Sequence, residues 1–407
     1  MHSTAASGMD NGKSTTPILE KWYYPPDLEN DLQHVDLPRR VKEEIFACAW
    51  EYSRSVIPQY TNWPRYVAFM RIIVIGVIAE FRGALVKVEA GDKILGYDLE
   101  AVLDTLFDGT AARDAMAREY RTFLLIAAEK SSNTSSELFR RYANALVASP
   151  KQWFRMRDCD ALARFTIAAA LACNDADDTW FSDEQLEVLT ELCDCMYDAV
   201  AFFKHRAEGE ISSTFAYVPS ASRVAVYAEC RQLLWALDVA WRGDAARLHV
   251  INFARMFGGP IHMMMRRYRF VEEDLTIGKR EDAVTVNQAR RNWKLWYRVE
   301  AAGAETAKVV GSQGGTVSGA ARFEQLLARD DLMFTGLADF LRASDKGACA
   351  RCYYPPSYGA ARLHEFGGAR LCSICTTAFH VHVASLAQRL AWVFPELRDV
   401  LEDPARR

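Results

Sequence analysis

From Ala161 to Cys173 the chain reads ALARFTIAAALAC, apolar except for Arg164 and Thr166. A strand is usually only about 5–6 residues long, so a run of this length reads as a helix buried inside the protein. It runs straight into Asp175, Asp177 and Asp178. Carboxylates at the carboxyl end of a core helix oppose the helix dipole unless a cation accompanies them. Ser182 followed by Gln185 forms a capping box, and it opens a second helix that extends to about Arg206. On that second helix Glu191, Asp194, Asp198 and His205 share one face. Acid at one helix end, opposite an acidic stripe, suits an all-helical protein that holds Mg²⁺ and a diphosphate. The same pattern also suits a solvated polar face.

Helical periodicity dominates the rest of the chain. It predicts helices over about 37–57, 63–86, 98–107, 113–130, 135–148, 221–241, 245–257, 261–275, 282–302 and 319–344, with a last one near 380–392. β-alternation is scarce and no repeat of solenoid length is present, so the expected class is all-α, a multi-helix domain enclosing an apolar cavity. The polar tail 1–20 is expected to be disordered, residues 21–343 to form the helical domain, 344–380 a zinc-bearing segment, and 381–407 a terminal helix and tail. Gly311-Ser312-Gln313-Gly314-Gly315 reads as a flexible connection. With 407 residues, half of them hydrophobic, the chain can bury a large core. A net charge of −4 offers no electrostatic basis for binding nucleic acid or an anionic membrane. The amino terminus has no apolar signal core. The apolar run 67–79 contains Arg71 and is too short to cross a bilayer.

Ten cysteines without a secretion signal point to a reducing compartment, the cytosol, and to metal binding. Cys349-x2-Cys352 and Cys372-x2-Cys375 form two knuckles able to close four thiolates tetrahedrally around Zn²⁺. A closed four-sulfur shell leaves no position for substrate, so this centre is structural. Zinc ribbons also bind nucleic acid, but the segment between the knuckles is poor in basic residues for phosphate contact.

Glu80 closes the apolar stretch RIIVIGVIAE, and Glu44 lies in VKEEIFACAWEY. A carboxylate inside a buried helix is paired, metal-bound or protonated. A salt bridge would make such a residue structural, whereas the other two states suit metal or proton chemistry. After Gly258-Gly259-Pro260 a helix reads IHMMMRRYRFVEED. There Arg266, Arg267 and Arg269 could clamp phosphate oxygens, with Tyr268 bonding the same anion and Lys204-His205-Arg206 adding positive charge. Pairing with Glu272, Glu273 and Asp274 is the structural alternative.

Longer strings carry more information than these short patterns. WYYPPD, EIFACAWEY, IAEFRG, LGYDL, WFRMRDCDALARFTIA, ALACND, STFAY, FGGPIHMMMRRYRFVEE and LTIGK resemble the fungal α-ionylideneethane synthase family of abscisic acid biosynthesis, from about Trp22 to Leu397. The resemblance implies a sesquiterpene synthase acting on farnesyl diphosphate with Mg²⁺. It also implies that the usual aspartate-rich and Asn/Ser/Glu metal motifs are absent, and Asn174-Asp175-Ala176-Asp177-Asp178 fits neither. Loss of diphosphate and a proton gives a neutral allofarnesene-type triene, which reprotonation and ring closure convert to α-ionylideneethane. Two glutamates important in the family match Glu44 and Glu80. This chemistry makes Asp175, Asp177, Asp178 and Asp198 candidate Mg²⁺ ligands and Arg266, Arg267, Lys204, His205 and Tyr268 candidate diphosphate contacts. A zinc-ribbon interaction protein, or a helical haem or redox enzyme using His262 or His205, are the competing readings. Product isomer and oligomeric state stay open.

Overall fold

The computed structural model describes residues 23–132, 138, 141–142, 145–146, 149–207, 212–216, 220–259, 261, 319–343, 349–352 and 371–402. Helices α1 (Arg39–Val56) and α2 (Trp63–Arg82) pack on each other across a short loop, a connection that makes them antiparallel neighbours. The Asn62 side chain accepts a hydrogen bond from the Arg65 N–H and so caps α2, with Pro64 in its first turn where no N–H is needed. Buried Ile72, Val74, Ile75 and Ile78 fix α2 in the core, each contributing about 1.5–3 kcal/mol. Gly76 allows close approach to the helix that carries Phe123, because a Cβ there would meet the Phe123 ring at 3.1 Å.

A short antiparallel ribbon, β1 (Lys93–Ile94) with β2 (Tyr97–Asp98), pairs Lys93 with Asp98 and Ile94 with Tyr97. It leads into α3 (Leu99–Phe107) and α4 (Arg113–Ser132). The apolar run that dominates the sequence is α6 (Ala163–Ala172), preceded by α5 (Pro150–Ala161). A break separates them at Leu162, which adopts left-handed φ 56°. The Asp158 carboxylate accepts the Arg164 N–H at 2.9 Å and caps the new helix. No Gly or Pro marks this break in the sequence. All of α6 is buried, including Arg164 and Thr166, whose hydroxyl donates back to the Leu162 carbonyl at 2.8 Å.

Around α6 pack α3, α4, α5, α7 (Asp183–Ala207) and α9 (Ala245–Phe257), while α8 (Ser220–Trp241) lies on α7 and α9. The predicted helix over 319–344 is two helices, α10 (Gly319–Leu327) and α11 (Leu337–Ala343). Between them, left-handed Gly336 (φ 86°) precedes α11. The last predicted helix starts earlier than its apolar pattern, as α12 (Ser373–Ala384), and turns at Ser385 into α13 (Leu386–Val393) before α14 (Arg398–Glu402). The expected helices over 262–302 and the 311–315 connection lie outside the described residues. The class is all-α with a four-cysteine segment near the carboxyl end, and no described helix is long and apolar enough to cross a membrane.

Candidate functional site

The two glutamates singled out by the sequence lie on the α1–α2 pair. Antiparallel packing carries Glu44, early in α1, and Glu80, late in α2, to the half of the pair remote from its loop. From Glu44 to Ala49 every residue of α1 is buried, so Glu44, 5 % exposed, is held among apolar neighbours rather than at a solvated stripe. Glu80 is half-buried and follows fully buried Ala79. Both carboxyl groups therefore sit on helices packed into the apolar core.

The aspartates after α6 serve a different arrangement. Arg65 reaches the carboxyl end of α6, donating to the Ala172 carbonyl at 2.9 Å and gripping Asp177 with both nitrogens at 2.6 and 2.9 Å. The cation required beside acids at a helix carboxyl end is therefore supplied by the chain itself. Asp175, in left-handed φ 54°, accepts from Asn62 at 2.9 Å and Thr61 at 2.7 Å. Those bonds, the Asn62 contribution foremost, hold its carboxyl below the usual range. Asp178 is exposed. This loop ties the start of α2 to the end of α6.

The acidic face of α7 is neither solvated nor directed at that loop: it is buried against α5 and the carboxyl-terminal helices. Glu191 is bound by Arg389 at 2.8 and 2.5 Å and by His382 Nε2 at 3.0 Å. Asp198 is fully buried, accepts from Arg157 at 3.1 and 2.7 Å and from the Thr214 N–H at 2.8 Å, and lies 3.8 Å from His205 Nδ1. Asp194, 0 % exposed, has neither carboxylate oxygen hydrogen-bonded among the described residues. Burial raises its carboxyl well above the usual range, with Arg157 opposing and Asp158, Asp198 and Asp160 reinforcing the shift, so it is kept as a neutral acid.

Behind this seam is a network not singled out from the sequence. Glu119 is bridged to Arg155 at 2.8 and 2.5 Å, Asp158 to Arg164 at 2.5 Å, and Asp160 accepts from Tyr142 at 3.1 Å. Its signal was present in RMRDCD, whose arginines and aspartates recur at helical spacing inside an apolar stretch. Arg266, Arg267 and Tyr268, and the side chain of Lys204, lie outside the described residues.

The thiols of Cys349, Cys352, Cys372 and Cys375 converge, with all four sulfurs within 4.8 Å of one another. Zn–S bonds of about 2.3 Å at tetrahedral angles require sulfurs about 3.8 Å apart, and Cys349 and Cys372 lie 3.9 Å apart. The Cys372 N–H donates to the Cys352 sulfur at 3.2 Å, opposing the burial that pushes that thiol up. The backbone N–H of Cys375, first among several sulfur contacts, lowers the Cys372 thiol to about 7. The donor set fits Zn²⁺ or a similar thiophilic ion. No comparable set of carboxylates converges among the described residues. The oxygens of Asp177 and Asp198 already face arginines.

The model of one protein family, "Alpha-ionylideneethane synthase aba3", matches residues 20–396. The chain is 57% identical over 397 residues to the α-ionylideneethane synthase aba3 of Botryotinia fuckeliana (strain B05.10), covering 96% of this chain and 88% of that one. To the α-ionylideneethane synthase abl3 of Leptosphaeria maculans it is 55% identical over 401 residues, covering 98% and 91%. For the Pyricularia oryzae (strain Y34) protein of that name the identity is 50%, covering 95% and 84%. A helical chain with a buried acidic interior, matched over nearly its whole length, thus belongs to the α-ionylideneethane synthase family.

Proposed function

We propose that this protein is a sesquiterpene synthase that converts farnesyl diphosphate to α-ionylideneethane with loss of diphosphate. The observation that carries this reading is the family match over residues 20–396, together with buried Glu44 and half-buried Glu80 on the packed α1–α2 pair. In this reading the allylic carbon–oxygen bond breaks, diphosphate leaves with the electron pair, and a carboxylate removes a proton to give a neutral conjugated triene. A carboxylic acid then returns a proton to the triene, ring closure follows, and loss of a final proton leaves the hydrocarbon. Glu44 and Glu80 are assigned to these proton transfers, because they lie on neighbouring core helices and a positioned carboxyl group can take a proton from carbon or return one. Buried aromatic side chains around α1 and α2, including Phe46, Tyr66 and Phe69, exclude water that would otherwise capture the cation.

Mg²⁺ supplies charge to the departing diphosphate when bound. The described aspartates do not assemble a cage for it, since Asp175 and Asp177 bind Asn62, Thr61 and Arg65, and Asp198 binds Arg157. Arg266, Arg267, Lys204 and Tyr268 stay in this proposal as diphosphate contacts on sequence grounds alone. Zn²⁺ is assigned to the four cysteines as a structural ion. The test is incubation of purified protein with farnesyl diphosphate and Mg²⁺, followed by gas chromatography and mass spectrometry. A fifteen-carbon hydrocarbon with the mass and retention of α-ionylideneethane is expected; farnesol alone, or unchanged substrate, would refute the assignment.

A further inference from the structure

A cleft of about 560 Å³ opens between α5 and α7 on one side and α12 and α13 on the other. It lies within the range of about 300–1,000 Å³ usual for small-molecule sites. Neither α1 nor α2 contributes to its wall, so it is separate from Glu44 and Glu80. One part of the lining is apolar, from Phe154, Val188, Ala391, Trp392 and Val393. Trp392, 76 % exposed, stands at the lip. The remainder of the wall is charged, and most of those charges are already matched. Lys151 pairs with Glu187 at 2.9 Å, Arg155 with Glu119 and Arg389 with Glu191 at 2.5 Å. The exposed Glu184 is held at the start of α7 by Ser182.

Two guanidinium groups are left with capacity. Arg164, 6 % exposed, gives its Nε to Asp158 and has only a 3.6 Å contact to exposed Asp183 for Nη1, while Nη2 has no hydrogen-bond partner among the described residues. Arg398 donates Nε to the Ala391 carbonyl at 3.1 Å and makes no ion pair among the described residues. A guanidinium with an unused edge, buried nine-tenths in the wall of this cleft, calls for an acceptor oxygen.

We infer that this cleft is a second binding site, for an amphipathic anion: an isoprenoid or alkyl body against Phe154, Val188 and Trp392, and a phosphate or carboxylate head at Arg164 and Arg398. Such a ligand would bridge the body of the protein to the α12–α13 unit. That unit begins at Cys372 and is docked by Phe379 and His382, whose rings stack on Phe154 at 5.8 and 5.7 Å.

The test uses the full-length protein in calorimetric titrations with farnesyl monophosphate, farnesoic acid and neutral farnesol, on wild type and on Arg398→Gln and Ala391→Phe. A head-group contact of this kind is worth about tenfold in Kd. The expected result is saturable binding of an anion, with farnesol at least about tenfold weaker. Arg398→Gln should weaken the anion about tenfold and leave farnesol unchanged, and Ala391→Phe should block both. Binding of the phosphate alone, or of the carboxylate alone, supports the site and identifies the head group. Equal binding of farnesol overturns it, as does a farnesyl phosphate affinity unchanged in both variants, which would assign the ligand to the synthase site. Melting temperatures of the variants without ligand separate lost binding from lost folding.

Discussion

Replacing Asp194 by Asn tests the description of the α7 seam through a pH dependence that no ordinary surface aspartate would show. In an unfolded chain aspartate titrates near pH 3.9. In the folded protein burial raises the Asp194 carboxyl well above that, against the opposing pull of Arg157, and neither oxygen is hydrogen-bonded among the described residues. Above pH 4 the unfolded chain gives up this proton while the native state keeps it, so the native state binds more protons. Stability must then fall as pH rises from the unfolded value toward the raised native value, by at most about 1.4 kcal/mol per pH unit from this one group. Asn cannot titrate, and it replaces a neutral acid with a neutral amide of the same shape, leaving Arg157, Asp158, Asp160 and Asp198 with their charges. The amide adds a constant offset of about 1–3 kcal/mol for its unsatisfied donors, but no slope. Urea unfolding of wild type and Asp194→Asn at pH 4, 5 and 6 measures the difference. The stability of the variant relative to wild type should rise by up to about 2.7 kcal/mol over those two units. Parallel stability–pH curves would refute a neutral Asp194, and with it the view that the acidic face of α7 is a buried seam.

Three further outcomes follow from the same structure. Arg157→Met removes the partner of buried Asp198 and the nearby cation of Asp160, and should cost about 3–5 kcal/mol in urea unfolding; a loss under about 1 kcal/mol would mean that the pair is solvated. Glu44→Gln and Glu80→Gln should each abolish most hydrocarbon formation while leaving the circular dichroism spectrum and melting temperature near wild type; normal turnover in both would remove the glutamates from the chemistry. Cys372→Ser, or treatment with a zinc chelator, should lower the melting temperature and loosen α12, read as faster amide exchange over 373–384; unchanged exchange would mean that the cysteines do not anchor that helix.

Much of the architecture was legible because helical apolar periodicity is a local property. α1, α2, α3, α4, α8 and α9 fall close to where the pattern places them, and the cysteine knuckles announce their convergence by spacing alone. The Leu162 break was hidden, because it is made by the Asp158 carboxylate reaching the Arg164 N–H rather than by Gly or Pro. The meaning of the acidic residues was hidden as well. Helical spacing shows that Glu191, Asp194 and Asp198 share a face, but whether water, a metal or an arginine meets that face depends on α5 and α13. The partners of Glu191 arrive from His382 and Arg389, nearly two hundred residues away in sequence. Likewise, the helix-dipole argument at the end of α6 called for a cation, and the tertiary fold delivers Arg65 from the start of α2.

The central claim is that carboxyl groups in an apolar interior remove a proton from the ionised substrate and return one to a neutral triene. Turnover of farnesyl diphosphate in D₂O, with the hydrocarbon analysed by mass spectrometry, tests it most directly. A product carrying solvent deuterium is expected, with the label lost together with the product in Glu44→Gln and Glu80→Gln. An abundant product with no deuterium would contradict the return of a solvent-exchangeable proton by these acids.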